Sequence, residues 1–230
     1  MKKTINNGIY TDGILPGGLN VVRKASLFYQ KYMKKPYLEY LVYAYALASS
    51  EENASGHLIV TAPTCGSCGV LPAVLLSYQK LNNIPDDKII NSLMVAGLIG
   101  NLVKTNASIS GAEVGCQGEI GVACSMASAA LSYLENKTNE EIEYAAEIAL
   151  EHHLGMTCDP IDGLVQIPCI ERNAVASMQA YNVEKYIELA GSSHNVTLDS
   201  VIKVMDETGR DLHTKYRETS TGGLAIHKKG

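Results

Sequence analysis

The sequence has no tryptophan and a single phenylalanine, while tyrosine occurs thirteen times. No function class follows from that bias, but other absences exclude whole classes. No apolar run approaches the about 18 residues that a membrane-spanning helix needs. No basic stripe is present to neutralise phosphates. The net charge is −5 with the acidic residues scattered, which argues against nucleic acid as a partner. No apolar stretch follows the two lysines of MKKTINNGIYTDG, so a signal peptide is not expected and a cytoplasmic location is. There is no P-loop and no dinucleotide fingerprint. Lys104 and Lys215 lack the phosphate-cradling loop that would accompany a Schiff-base lysine. Strict apolar alternation is nearly missing too. His57-Leu58-Ile59-Val60-Thr61 reads as one short strand with nothing nearby to pair with it.

What is present is helical periodicity. With 230 residues, 46% of them hydrophobic, the chain can bury a sizeable core. Residues 36–50 open on Pro36 and carry a broad apolar face. Residues 69–82 and 87–104 form two more such segments, separated by a turn at 82–86. Residues 118–135 are small all round (Ala, Ser, Gly, Met), as suits a tightly packed central helix. Thr138 followed by Glu141 makes a capping box for a helix over 139–153. Further helices are expected over 20–34, from Pro168 to about residue 180, and from Thr197 to Glu207 with Gly209 closing it. No repeat or linker interrupts this pattern. The expectation is one all-α domain over 1–230, with glycine-rich loops between its helices.

Those loops cover 61–69 (TAPTCGSCG), 105–118 (TNASISGAEVGCQG), 155–168 (GMTCDPIDGLVQIP) and 216–224 (YRETSTGGL). Helix connections are usually short, and polar glycine-rich ones more often build a site. They also hold most of the six cysteines, which should be reduced thiols in a chain without an export signal. Cys116 and Cys169 each stand at an expected helix start, where free N–H groups and the helix dipole favour a thiolate. Spacing alone leaves them open to a blander reading as small buried hydrophobes. Cys65-Gly-Ser-Cys68 could be redox-active or half of a zinc site, with His152 and His153 the nearest further ligands. Those two histidines are adjacent and would point to different helix faces. Cys124 lies inside the small-residue helix and reads as packing.

Five stretches, in order, resemble the iron–sulfur-dependent L-serine dehydratases (L-serine ammonia-lyases), catalytic α domain. They are TDGILPGGLNVVRKA (11–25), NASGHLIVTAPTCGSCGVLPAVL (53–75), NASISGAEVGCQGEIGVACSMASA (106–129), LGMTCDPIDGLVQIPCIERNAVAS (154–177) and MDETGRDLHTKYRETSTGGLAIH (205–227). The resemblance implies a 4Fe-4S cluster held by Cys116, Cys158 and Cys169. One iron would be left without a protein thiolate, to accept the hydroxyl of L-serine. Elimination would then yield pyruvate and ammonia, a step of amino-acid catabolism and gluconeogenesis. Carboxylate recognition would fall to Thr61, Thr64, Gly66 and Ser67 in one loop and to Asn106, Ser108, Ser110 and Gly111 in another. Glu113 and Arg217-Glu218-Thr219 would order the site. The general base is not legible; His57 and His152 are the local candidates. Two features depart from the pattern. The β domain that usually accompanies this unit, and a helical stretch ahead of LPGGL, are not found in these residues, so a β-subunit partner or a homo-oligomer is expected. Cys65 and Asp162 replace residues that in the family are often Asn or Ala, and Ala. That leaves room for a lyase of cysteine or threonine, or for a non-catalytic cluster-binding subunit.

Overall fold

The computed structural model describes residues 1–227. Ten α-helices make up the fold, and no strand forms among the described residues. They are α1 (Lys2–Gly8), α2 (Ala25–Lys34), α3 (Leu38–Ala54), α4 (Val70–Asn82), α5 (Asp86–Asn106), α6 (Gly111–Val114), α7 (Val122–Leu134), α8 (Asn139–Glu151), α9 (Cys169–Ala190) and α10 (Leu198–Asp211). The all-α expectation holds. Residues 57–61 stay unpaired, and the two isolated β-bridges lie elsewhere, at Ile14–Val22 and Cys158–Arg217.

The small-residue segment is the axis of the molecule. Every residue of α7 from Val122 to Ser132 is buried, and α7 packs on α4, α5, α8 and α9. Ala, Ser and Gly let neighbouring backbones approach closely. Ser125 Oγ donates to Ala146 O of α8 at 2.7 Å, and Cys124 Sγ reaches Ala176 O of α9 at 3.3 Å. Cys124 is therefore a core residue. The apolar core continues outward through Leu75, Ile99, Leu131, Leu150, Ile187 and Met205. Burying one such side chain stabilises the fold by about 1.5–3 kcal/mol.

A second apolar cluster lies under α1, α2 and α3, built from Ile5, Ile9, Leu15, Leu41, Leu47 and Ile170. Its edge is ionic. Arg23 is buried, with Nη2 2.6 Å from Glu52 Oε1 and Nε 3.5 Å from Glu51 Oε2. Glu51 also accepts from the backbone N–H groups of Lys24 and Ala25, which caps α2 from outside. Burial pushes the Glu51 carboxyl up, against those hydrogen bonds and the Arg23 charge.

Helix boundaries follow local chemistry only in part: α1 was not expected, and α2 starts at Ala25 rather than at residue 20. Thr138 and Glu141 form the capping box of α8. Asn83, at φ 53°, ends α4 in the left-handed conformation. However, Gly209 does not close α10, which runs on to Asp211. A Cβ at Gly209 would fall 2.5 Å from Val114 Cβ, so glycine is there for the close approach of α6. Helix α9 also extends to Ala190, because the groove between α3, α4, α7 and α8 buries its whole length through Ile187. Finally, Gln117–Gly121 forms a π-helical turn running into α7. Such turns are often found at functional sites.

Candidate active site

The loops between helices meet at one end of α7. Cys116 immediately precedes the π turn, and Cys169 is the first residue of α9. Cys158 comes from the long α8–α9 connection, where its backbone is clamped on both sides. Its N–H donates to Tyr216 O at 2.8 Å, and its carbonyl accepts from Glu218 N at 2.6 Å. All three cysteines are buried.

Cys116 Sγ, Cys158 Sγ and a Glu119 carboxylate oxygen lie within 4.8 Å of one another. Glu119 Oε2 is 3.8 Å from Cys116 Sγ and 3.7 Å from Cys158 Sγ. Contact with Cys116, then burial, pushes the Cys158 thiol well above its ordinary range. Burial and the neighbouring Cys116 push Cys169 up to about 12, opposed by Arg172. The start of α9 thus does not make Cys169 a thiolate on its own; desolvation outweighs the dipole. A bound cation centre reverses that balance by stabilising the thiolates.

Glu119 organises the surrounding loops. Its Oε1 accepts from Thr64 Oγ1 at 2.7 Å. A Cβ at Gly111 would fall 2.6 Å from Glu119 Oε2 and 2.9 Å from Cys158 Sγ, and one at Gly66 would fall 3.1 Å from Glu119 Oε1. These glycines make room for the carboxylate. Ser67, fully buried, holds the 61–69 loop by donating to Ala62 O at 3.3 Å and pairing with Thr64 Oγ1 at 3.1 Å. Asn173 anchors the same loop to α9. It donates to Gly66 O at 2.7 Å and to Cys169 O at 2.8 Å, and accepts from Gly69 N at 2.9 Å. The C-terminal loop closes the other side. Asp159 accepts from Leu224 N at 2.7 Å and faces Arg172, whose Nη1 donates to Thr157 O at 2.7 Å.

The other sequence candidates are distributed as follows. Thr64, Gly66, Ser67 and Gly111 gather around Glu119. Ser108 and Ser110 lie in the adjoining turn, where Ser108 bonds Glu113 and accepts from Ser110 N. Asn106 turns back onto its own helix, donating to Leu102 O at 2.9 Å. Thr61 is exposed. His57 pairs with Glu52, Nδ1 to Oε2 3.0 Å, and lines a hollow with Asn6, Tyr10 and Thr11. His152 lines a different cavity, with Glu147 and His194. Cys65 is exposed while Cys68 is buried against Ser49 O, and burial pushes Cys68 up to about 12. That thiol points into the protein, which removes the pair as half of a zinc site. Glu119, Asn173 and Arg172 were missed in the sequence. Their signal was spacing: Glu119 stands three residues after Cys116, and Arg172 and Asn173 stand three and four after Cys169, one helical turn in each case.

The donor set suits a thiophilic metal centre, since thiols from two separate segments meet with a carboxylate between them, while Cys169 stands outside that group. The family described as serine dehydratase alpha chain matches residues 1–225. The chain belongs to that family. It is 50% identical over 234 residues to the L-serine dehydratase of Haemophilus influenzae, covering 98% of this chain and 51% of that protein. L-serine dehydratase 1 of Escherichia coli is likewise 50% identical, covering 98% of this chain and 52% of its own. L-serine dehydratase of Mycobacterium tuberculosis is 52% identical over 229 residues, covering 95% and 50%. The chain therefore spans about half the length of the curated relatives it matches. No helix among its described residues is long and apolar enough to cross a membrane.

Proposed function

We propose that this chain is the catalytic part of a cytoplasmic iron–sulfur L-serine ammonia-lyase, converting L-serine to pyruvate and ammonia. The observation that carries the reading is the meeting of Cys116 and Cys158, from segments far apart in sequence, with Glu119 between them. Cys116, Cys158 and Cys169 would hold a 4Fe-4S cluster. Bound there, the cluster supplies a Lewis acid that makes the serine hydroxyl a better leaving group.

The chain's own residues then bind and orient. Thr64, Ser67, Ser108, Ser110 and the backbone N–H groups near Gly66 and Gly111 are the candidate donors, with Thr64, Gly66 and Gly111 lying against Glu119. They offer hydroxyl and amide donors for a substrate carboxylate. Glu119 holds Thr64 and sets the distance between the two loops. Asn173 keeps the 61–69 loop against the start of α9. A β domain, on a partner chain or elsewhere in a longer protein, or a second copy of the chain, would complete the assembly. His57 and His152 remain candidates for the general base once that assembly forms. The exposed thiol of Cys65, beside Gly66, favours a second reading within the same chemistry, a lyase for cysteine or threonine.

The test is anaerobic purification with iron and sulfide counts, followed by assays on serine, threonine and cysteine. Pyruvate and ammonia from serine support the first reading, and sulfide from cysteine the second. Cys116→Ser, Cys158→Ser and Cys169→Ser are each expected to abolish cluster binding, whereas Cys124→Ser leaves it intact. Full iron content in any of the first three variants would overturn the assignment.

A further inference from the structure

Away from the cysteines, α8 presents Glu143, Glu147 and Glu151 on one face, at successive turns. The Glu147 side chain is 2% exposed, and its Oε1 has no hydrogen-bond partner among the described residues. Proteins rarely bury a carboxylate oxygen without a proton, donor or cation to satisfy it. His194, from the α9–α10 connection, lies over this face and stacks on Tyr144 with ring centroids 4.2 Å apart. Its Nε2 is 3.2 Å from Glu143 Oε2 and its Nδ1 is 3.5 Å from Glu147 Oε2. Nδ1 is also buried without a hydrogen-bond partner. Glu147, Glu151, His152 and His194 line one cavity of about 660 Å³, which opens between α8 and α9.

We infer that His194 and Glu147, with Glu151 as a third ligand, form a site for a divalent transition-metal ion of the zinc type. Three features of the geometry support it. First, an ion about 2.1 Å from each of two donors that are 3.5 Å apart subtends about 110° between them, the tetrahedral angle such ions prefer. Second, the Glu143 carboxylate 3.2 Å from Nε2 favours a proton on that nitrogen, which leaves the Nδ1 lone pair facing Glu147. A metal-bound histidine is usually held by a carboxylate on its other nitrogen in this way. Third, the ion would give the buried His194 Nδ1 the partner it lacks and would offset the charge of the buried Glu147 carboxylate. Glu151 stands on the exposed lip of the cavity and closes on the ion by a rotamer change; water fills the remaining position. Imidazole nitrogen with carboxylate oxygen selects zinc-like ions over calcium or magnesium.

This site is independent of the cysteine centre, and Co²⁺ as the probe keeps the two apart. Anaerobically purified, cluster-loaded protein is titrated with Co²⁺. Binding at the inferred site gives weak visible bands, whereas binding at cysteines adds an intense sulfur-to-metal transition in the near ultraviolet. One Co²⁺ per chain without the sulfur transition is expected. His194→Asn and Glu147→Gln should each weaken it about 100-fold or more, and Glu143→Gln about tenfold. Glu151→Gln, at an exposed position, serves if a buried variant fails to fold, and should weaken binding as well. Absence of this spectrum in the wild type, or equal affinity in the folded variants, would reduce the cluster to an imidazolium ion pair and overturn the inference.

Discussion

Replacing Asn173 with alanine tests whether the site loop is held by a single side chain. Asn173 is fully buried and makes three hydrogen bonds: to Gly66 O, to Cys169 O and from Gly69 N. Cys169 O keeps a partner in the variant, since a helix carbonyl accepts from the N–H four residues on. The Gly69 N–H does not. It is buried, and a Cβ there would fall 2.6 Å from Ala46 O, so the loop cannot shift inward to find another acceptor. One orphaned buried donor costs about 1–3 kcal/mol and the lost bond to Gly66 O about 1 kcal/mol. The expected destabilisation is about 2–4 kcal/mol, a drop in Tm of roughly 5–12 °C for a chain of this size. Urea unfolding followed by far-ultraviolet circular dichroism measures it, with the slope m unchanged. Asn173→Asp keeps the acceptor for Gly69 but loses both donated bonds, so it should also be destabilised. A loss below about 0.5 kcal/mol for Asn173→Ala would refute the idea that this side chain fixes the loop.

Gly111→Ala should leave circular dichroism unchanged but cut iron and sulfide content sharply on anaerobic reconstitution, because the new methyl falls on Glu119 Oε2 and Cys158 Sγ. Its control is Gly97→Ala in α5, where nothing lies within 4 Å of the added Cβ. That change should raise stability by about 0.5–1 kcal/mol through helix propensity alone. The pH dependence of stability should carry the mark of Glu147. Burial and its neighbours push this carboxyl up to about 8 in the folded chain, from an ordinary value of 4.5. The folded state therefore binds the extra proton between those values, and stability falls as pH rises across that window. Glu147→Gln, measured by urea unfolding without added metal, should flatten this slope; an identical slope would show that the carboxyl titrates normally.

Much of the fold was legible because helices announce themselves locally. The capping box at Thr138, the small-residue run of α7 and the turn after Asn82 each depend on residues within a few positions of one another. The boundaries that failed depended on distant partners. Nothing near residue 180 says that α9 continues, because the groove that buries its second half belongs to other helices. Gly209 looks like a helix stop by itself, yet Val114 makes it a point of close approach. At the site, loop composition pointed to Thr64, Gly66, Ser67 and Gly111. The resemblance pointed to the three cysteines. Glu119 escaped notice because a carboxylate three residues after a cysteine carries no mark of its own until Thr64, Cys158 and two glycines are seen around it.

The order of amino acids was thus enough to settle the all-α class, most helices, the absence of a membrane-crossing helix and the family. Each of these rests on short-range periodicity, capping or long matching stretches. Only the tertiary structure decided that Cys116 and Cys158 share one carboxylate, that Cys68 turns inward, and that His194 faces a carboxylate buried on α8. Those are contacts between segments far apart in the chain, and they exist because the packing of helices, not their local sequence, sets which side chains lose water together.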